Sequence, residues 1–354
     1  MSQPRVLCFG SVNVDDVFVV PHIVLTGETI GSSAYAVHAG GKGANQSVAL
    51  AKAGANVHHA GRIGKDGVWV SDLMRTHNVQ TSLLTVDPTH PTGRAIIQVS
   101  SATNDNAIVL LPGTNHLLTL ADADAAVDAF SKGDWVVLQN EINVDAANRV
   151  LEKASAKGLV VVVNPAPCPS DFVEKVKVEY AQVLVLNASE AASIAKQIRE
   201  RELKTATEKT VAETTATQSD SDIGAAAASL LLTTLPNLHL VIITLGGDGA
   251  LASFRRPNTA DTTLETVRVP ALSNVKLVDT TGAGDTFVGY LLAALVKMMG
   301  ERRIGTLQEL LVGEKVIGEA LSVATAAAGM ACEGEGAMES IPGWEDVRKR
   351  MQVV

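Results

Sequence analysis

WVVLQNEINVDAANRVLEKASAKGLVVVVN, residues 135–164, decides the fold. It opens on a short apolar run at 135–139 and closes on a second at 159–164. Such valine-rich runs read as strands buried on both faces. Between them, residues 144–157 follow a helical pattern. Further strand-like runs lie at 6–10, 183–187 and 240–245, and further helical stretches at 44–53, 67–77, 121–131 and 225–232. Strand–helix alternation of this kind predicts an α/β fold: a doubly wound, mostly parallel sheet with helices on both faces.

Ligands of such sheets bind beyond the carboxyl ends of the strands. Polar residues gather there. Asn13 and Asp15 follow the first run, Glu141 follows 135–139, Asn164 and Asn187 end theirs, and Thr244-Leu245-Gly246 ends another. Two places break the alternation. Runs 17–24 with 35–38, and 94–99 with 107–111, look like strands without helices between them. They predict a small second sheet within about 12–38 and 92–112 that covers the site as a lid and excludes water. Residues 199–222 are rich in Thr, Ala and Glu without apolar periodicity, and 214–222 reads as a mobile surface loop. The expectation is one domain over 1–354 carrying this polar insertion.

The bulk properties narrow the function. The chain has 354 residues, 46% of them hydrophobic, which suffices for a large core. Net charge is −9 and no basic stripe with interleaved aromatics occurs, so nucleic acid is not an expected partner. Cys8, Cys168 and Cys332 are widely spaced and odd in number, as in a reducing compartment. No apolar run approaches the roughly 18 residues that span a bilayer, and no signal-peptide pattern appears. A cytoplasmic protein is expected.

The chemistry concentrates in VDTTGAGD, residues 278–285, ahead of an apolar helix whose Val288, Leu291, Leu292, Leu295 and Val296 share a face. Gly282, Ala283 and Gly284 leave the first N–H groups of that helix open to an anion. Asp285 beside them suits a base that takes a proton from a hydroxyl attacking a phosphate. Carboxylates are weak bases for a free alcohol, so the proton moves late, as charge develops on phosphorus. Most of the acceleration then comes from positioning and anion stabilisation. A second glycine-rich helix start, AGGKGAN at 39–45, matches neither a Walker A loop nor a dinucleotide fingerprint. Its open backbone with Lys42 and Asn45 suits a polyhydroxy ligand. Asn13 and Asp15, two apart in extended chain, point to one side, where a carboxylate can accept two hydroxyls. TLGGDGA, 244–250, reads as a glycine turn between strands, open either to a nucleotide or as a plain hairpin. Asn187 and Glu190, three apart at a helix start, fit a magnesium-organising pair or a reciprocal cap.

GSVNVD, GGKGANQ, NPAP, NASE, TLGGDG and DTTGAGDTF occur here in the order and rough spacing of the PfkB carbohydrate kinases, which this chain resembles from about residue 5 to 347. The pattern is nearest to the ribokinases of that family. The resemblance implies ATP-dependent phosphorylation of D-ribose at the 5-hydroxyl. It implies ribose contacts at Asn13, Asp15, Gly41, Lys42, Gly43, Asn45 and Glu141, with Asp285 as base and the 282–284 helix start as anion hole. It implies nucleotide contacts at Asn187, Thr244, Gly246, Gly247, Asp248, Gly249 and Gly284, and Glu190 as an organiser of Mg2+. An activating K+ would lie in a loop opened by Asp279 and Thr281 and completed by Ala331, Gly334, Gly336 and Ser340. Two departures stand out: Thr325 where bacterial ribokinases commonly carry a histidine near adenine, and Gly334-Glu335 in place of a basic pair. Pairing of lid sheets in the bacterial enzymes implies a homodimer. Alternatives are a kinase of the same family acting on deoxyribose, fructose, a keto-sugar acid or a nucleoside, or a non-catalytic sensor of sugar or nucleotide. A dinucleotide-dependent oxidoreductase lacks its first-turn fingerprint.

Overall fold

Alternate residues of the central strands feed two separate apolar cores. Val6 and Cys8 join one, Leu7 and Phe9 the other; Trp135 and Val137 oppose Val136 and Leu138 in the same way. This is the period-2 geometry of a strand covered on both faces. The structure, a computed structural model, describes residues 3–103, 105–205, 219–256, 264–312 and 314–353. Its strands are β1 (Val6–Phe9), β2 (Asn13–Val20), β3 (Ala34–Gly40), β4 (Val57–Gly64), β5 (Gln80–Asp87), β6 (Gly93–Ser100), β7 (Asn106–Leu111), β8 (Trp135–Gln139), β9 (Val160–Asn164), β10 (Val183–Asn187), β11 (Leu240–Thr244), β12 (Ala250–Arg255) and β13 (Leu264–Val269). Its α-helices are α1 (Lys42–Lys52), α2 (Val68–Thr76), α3 (Leu120–Asp128), α4 (Val144–Lys157), α5 (Phe172–Lys175), α6 (Ala188–Thr205), α7 (Asp220–Thr234), α8 (Ala283–Arg302), α9 (Leu307–Leu310), α10 (Glu314–Ala331) and α11 (Trp344–Val353).

The large sheet runs β13-β12-β11-β10-β9-β8-β1-β4-β5. From β11 to β5 every pairing is parallel; β12 and β13 add an antiparallel edge. Helices α1, α8 and α10 bury residues in one core, and α3, α4, α6 and α7 in the other. The unit that opened the sequence reading forms as expected. Asn143 caps α4 by accepting from Asp145 N and Ala146 N at 3.0 and 3.1 Å, and Gly158 ends it in the left-handed region at φ 79°. Connections run outward from β1 through β4 to β5 on one side and from β8 to β11 on the other. The strand order therefore reverses between β1 and β8, and a crevice opens there.

The second sheet, β3-β2-β6-β7, pairs β2 with β6 in parallel and its other strands antiparallel. Arg94 ties it to the body by donating to Asp16 at 2.8 Å within the sheet and to Asp66 at 3.1 Å just after β4. The expected lid strand at 17–24 is shifted: β2 spans Asn13–Val20, so Asn13 and Asp15 lie inside the sheet rather than in a loop before it. The register explains this, since Asn13 pairs with both Gly40 and Gly93. The polar segment is also partly corrected. Residues 199–205 continue α6, and Ser219 caps α7 by accepting from Asp222 N at 3.2 Å; 206–218 lie outside the described residues. Strands β4, β5 and β13 were not expected from the sequence. No helix among the described residues is long and apolar enough to cross a membrane.

Helices α1 and α8 pack backbone to backbone at Gly289. A Cβ there would meet Ala49 Cβ at 2.3 Å and Leu50 N at 2.8 Å. No rotamer can relieve the second contact. Gly289→Val is thus expected to lower the unfolding free energy by about 1–3 kcal/mol, read from the urea midpoint at constant m-value. A wild-type midpoint would mean that the helices separate freely.

Candidate active site

The turn before α8 is built by its own side chains. Asp279 Oδ1 accepts from Thr281 N at 2.9 Å and Oγ1 at 2.7 Å. Gly282 stands in the left-handed region at φ 75°, and a Cβ on it would lie 2.8 Å from Ala337 Cα. Only glycine fits there without strain. The N–H groups of Gly284 and Asp285 have no acceptor among the described residues, and a Cβ on Gly284 would meet nothing within 4 Å. Two free amides at the positive end of a 20-residue helix form an anion site.

Asp285 lies in the first turn, 7% exposed. Its carboxylate is matched by α1: Asn45 Nδ2 donates to Oδ2 at 3.0 Å and Gln46 Nε2 to Oδ1 at 2.9 Å. Gln46 also donates to Asn164 Oδ1 at 2.9 Å and accepts from Gln139 Nε2 at 2.6 Å. The charge of Asp285, with those of Glu141 and Glu190, holds the half-buried Lys42 above its ordinary pKa against the opposing effect of burial.

The crevice between β1 and β8 gathers the residues expected around a polyol. Glu141 Oε2 accepts from Ser11 Oγ at 2.7 Å and from Lys42 N at 3.0 Å, so it caps α1 electrostatically. Gly41 at φ 91° turns the chain into that helix, and Gly43 comes so close that a Cβ would meet Ser11 N at 2.6 Å. Asn13 Oδ1 accepts from Asn115 Nδ2 at 2.8 Å. The Asp15 carboxylate lies against Gly40, where a Cβ would be 2.0 Å from Oδ2. Burial, and then the charge of Glu141, pushes the Asp15 carboxyl up to about 7. Asp15 Oδ1 and Asn45 Oδ1 are buried acceptors with no partner among the described residues. Unpaired buried acceptors are costly unless a donor arrives.

Across Asp285, Thr244, Gly246, Gly247, Gly249, Gly284 and Thr325 line one cavity of about 460 Å³. Its apolar wall, Ala271, Leu272, Val275, Leu277 and Phe287, was not expected from the sequence. Ala271, Leu272, Val275 and Leu277 lie in irregular chain that no motif marks, and Phe287, the last residue of the 279–287 motif, faces inward from α8. Thr325 donates its hydroxyl to Leu321 O at 2.9 Å, within its own helix. Asn187, Glu190 and Asp248 do not line the cavity. Asn187 and Glu190 form the reciprocal cap: Glu190 Oε2 accepts from Asn187 N at 2.9 Å and Asn187 Oδ1 from Glu190 N at 2.8 Å. Burial raises the Glu190 carboxyl above its ordinary range. Asp248 is exposed, and its N–H closes the turn onto Leu245 O at 3.1 Å.

The six residues expected around a cation come together where the turn before α8 meets the end of α10 and the chain after it. Asp279 Oδ2 accepts from Gly336 N at 3.1 Å, Gly334 N donates to Ala331 O at 3.2 Å, and a Cβ on Gly334 would touch Ser340 Cβ at 3.1 Å. Burial raises the Asp279 carboxyl, but the bonds from Thr281 and Gly336 outweigh it and leave the group below its ordinary value. Oxygen donors of this kind fit a hard cation. Among the described residues, no group of three His, Cys, Asp or Glu side chains could hold a metal.

Comparison with known proteins agrees with this geometry. The chain is 30% identical over 335 residues to a ribokinase of Haemophilus influenzae, covering 94% of each. It is 31% identical over 286 residues to a deoxyribokinase of Salmonella typhi, covering 79% of this chain and 82% of that one. The crystal structure of a ribokinase from Cryptococcus neoformans var. grubii serotype A, in complex with ADP, superposes with a TM-score of 0.74 at 30% identity, covering 98% and 99% of the two chains. A family model described as pfkB family carbohydrate kinase matches residues 3–344. With its open helix start, its buried aspartate and its reversed strand order, this chain belongs to the pfkB family of carbohydrate kinases.

Proposed function

We propose that this ATP-dependent sugar kinase phosphorylates D-ribose at its 5-hydroxyl, giving ADP and D-ribose 5-phosphate. The observation that carries the reading is the pair of partnerless buried acceptors, Asp15 Oδ1 within reach of the Glu141 charge and Asn45 Oδ1 on the amide that donates to Asp285. A small polyol supplies the donors they lack. A nucleoside would need an apolar surface for its base, and Asn13, Asp15, Lys42 and Glu141 make this side polar. A ribokinase and a deoxyribokinase at nearly equal identity make 2-deoxyribose the second reading.

In this reading, Asn13, Asp15, Gly41, Lys42, Gly43, Asn45 and Glu141 hold the sugar. Its 5-hydroxyl meets Asp285. As the sugar oxygen bonds to the γ-phosphorus of ATP, the bond to the β–γ bridging oxygen breaks and ADP leaves with that electron pair. The hydroxyl proton passes to the Asp285 carboxylate. The free N–H groups of Gly284 and Asp285 meet the charge spreading over the phosphoryl oxygens. The glycine turn at 246–249 and the wall near Thr325 receive the nucleotide. Glu190 would help hold Mg2+, and the 279–281 turn with residues 331–340 would hold K+. Such ions supply positive charge beside the phosphates and the helix-start amides. The remaining expected nucleotide contacts are Asn187, at the end of β10, and Asp248, in the turn between β11 and β12. The single-domain organisation over 1–354, a cytoplasmic location and a homodimer complete the proposal. The dimer reading is supported by the lid face that exposes Tyr35 at 57% and Val109 at 64%, with Val37 and Ile96 in register on the same face.

Four measurements test this. An ADP-release assay across ribose, deoxyribose, fructose and adenosine is expected to give the highest kcat/KM for ribose. Asp285→Asn is expected to lower kcat by at least roughly 10²–10⁴-fold while calorimetry still registers ribose binding; preference for adenosine, or an active Asn variant, overturns the assignment. A carboxylate that accepts hydroxyls must be ionised, so sugar competes with the proton that Asp15 releases near pH 7. Ribose affinity is expected to fall about tenfold from pH 8 to pH 6, and Asp15→Asn to bind weakly at every pH; a flat wild-type series would remove Asp15 from the sugar site. Sedimentation should give twice the 36.9 kDa chain mass, and Val109→Glu should halve it; a wild-type monomer at all concentrations rules out the dimer.

A further inference from the structure

We infer that Gln46 is the positioning residue for Asp285: its amide N–H fixes which carboxylate oxygen is turned to the sugar hydroxyl. The inference rests on Asp285 acting as the base. Gln46 is fully buried and touches no ligand surface. It still spends its whole amide on this arrangement, with Nε2 at 2.9 Å from both Asp285 Oδ1 and Asn164 Oδ1, and Oε1 accepting from Gln139 at 2.6 Å.

The direction of that amide is forced from two sides. Asn164 donates its own Nδ2 to Val185 O of β10 at 2.9 Å, which turns its Oδ1 toward Gln46. Gln139 presents an N–H from β8. Flipping Gln46 would set its oxygen against Asp285 Oδ1 and Asn164 Oδ1, and its NH2 against the NH2 of Gln139. Three adjacent parallel strands, β8, β9 and β10, thus aim one donor at one oxygen of Asp285. Asn45, one residue earlier on α1, takes the other oxygen at 3.0 Å. The carboxylate is gripped at both oxygens before any substrate arrives. Its remaining lone pairs are confined to directions that α1 does not cover.

The charged and titratable groups around this cluster are few. Lys42 on α1 faces Asp285; Glu141 after β8 and Glu190 on α6 act on Lys42. Cys8 on β1 lies behind Gln139 and is pushed up to about 11 by burial, so it stays a thiol.

The test measures kcat, KM for ribose and KM for ATP from pH 5 to 9 in wild type, Gln46→Met and Gln46→Glu. Losing a hydrogen bond to a charged group predicts a kcat lowered roughly 10- to 100-fold in Gln46→Met, with both KM values within about threefold of wild type. In Gln46→Glu two carboxyls would face each other and share a proton, so the acidic limb of the kcat profile moves to higher pH. A kcat within threefold of wild type in Gln46→Met, a loss carried by KM alone, or an unmoved acidic limb in the Glu variant overturns the inference. If Gln46→Met does not fold, the acidic limb of Gln46→Glu decides alone, and an unmoved limb overturns the inference. Wild-type protein without sugar-dependent ADP release would remove the base role itself, an outcome distinct from an active wild type with an indifferent Gln46→Met.

Discussion

Keeping one carboxylate charged while hiding it from water is the constraint on which this molecule turns. A buried ionised group with no donors is costly by several kcal/mol. Asp285 is 7% exposed, and the protein meets that cost with two amides from a different helix. The donors reach it only if α1 and α8 lie backbone to backbone, which is why Gly289 faces Ala49 with no room for a side chain. Packing deep in one core therefore sets the geometry at the mouth of the site.

Charge is distributed around that centre with the same economy. Glu141 is recruited by Ser11 and by the first N–H of α1, and it raises Asp15 in turn. Lys42 faces three acids without forming a close ion pair with any of them, so its ammonium is left for whatever anion enters. The α8 start provides neutral donors in place of another cation. One side of Asp285 is thus lined with acceptors and the other with open amides, as phosphoryl transfer between a polyol and a nucleotide requires.

Much of this was legible in the sequence because it obeys local rules. Strands β1, β8, β9, β10 and β11 are runs of Val, Leu and Ile covered on both faces, and α4 carries its own Asn143 cap and Gly158 stop. The glycines of 282–284 and 41–43 announce close backbone approach. Other parts follow no local rule. β4 (VHHAGRIG) carries two histidines, one of them buried and pushed down to about 4 by that burial, so its pattern is not apolar. β5 and β13 are edge strands with mixed faces. Gln46 reads as an ordinary polar helix residue, because its partners are 93, 118 and 239 positions away. Asn187 and Glu190 show the reverse: their spacing suits either a metal or a cap, and the described contacts are those of the cap.

The Gln46–Asp285 contact spans 239 residues. During synthesis the polyol side leaves the ribosome early and must wait for nearly the whole chain before α8 can dock. Contacts of such long range slow folding. They also mean that a chain ending before α8 cannot bring Asn45 and Gln46 to Asp285. That buried cluster comes into being only when the last third of the polypeptide closes over the first.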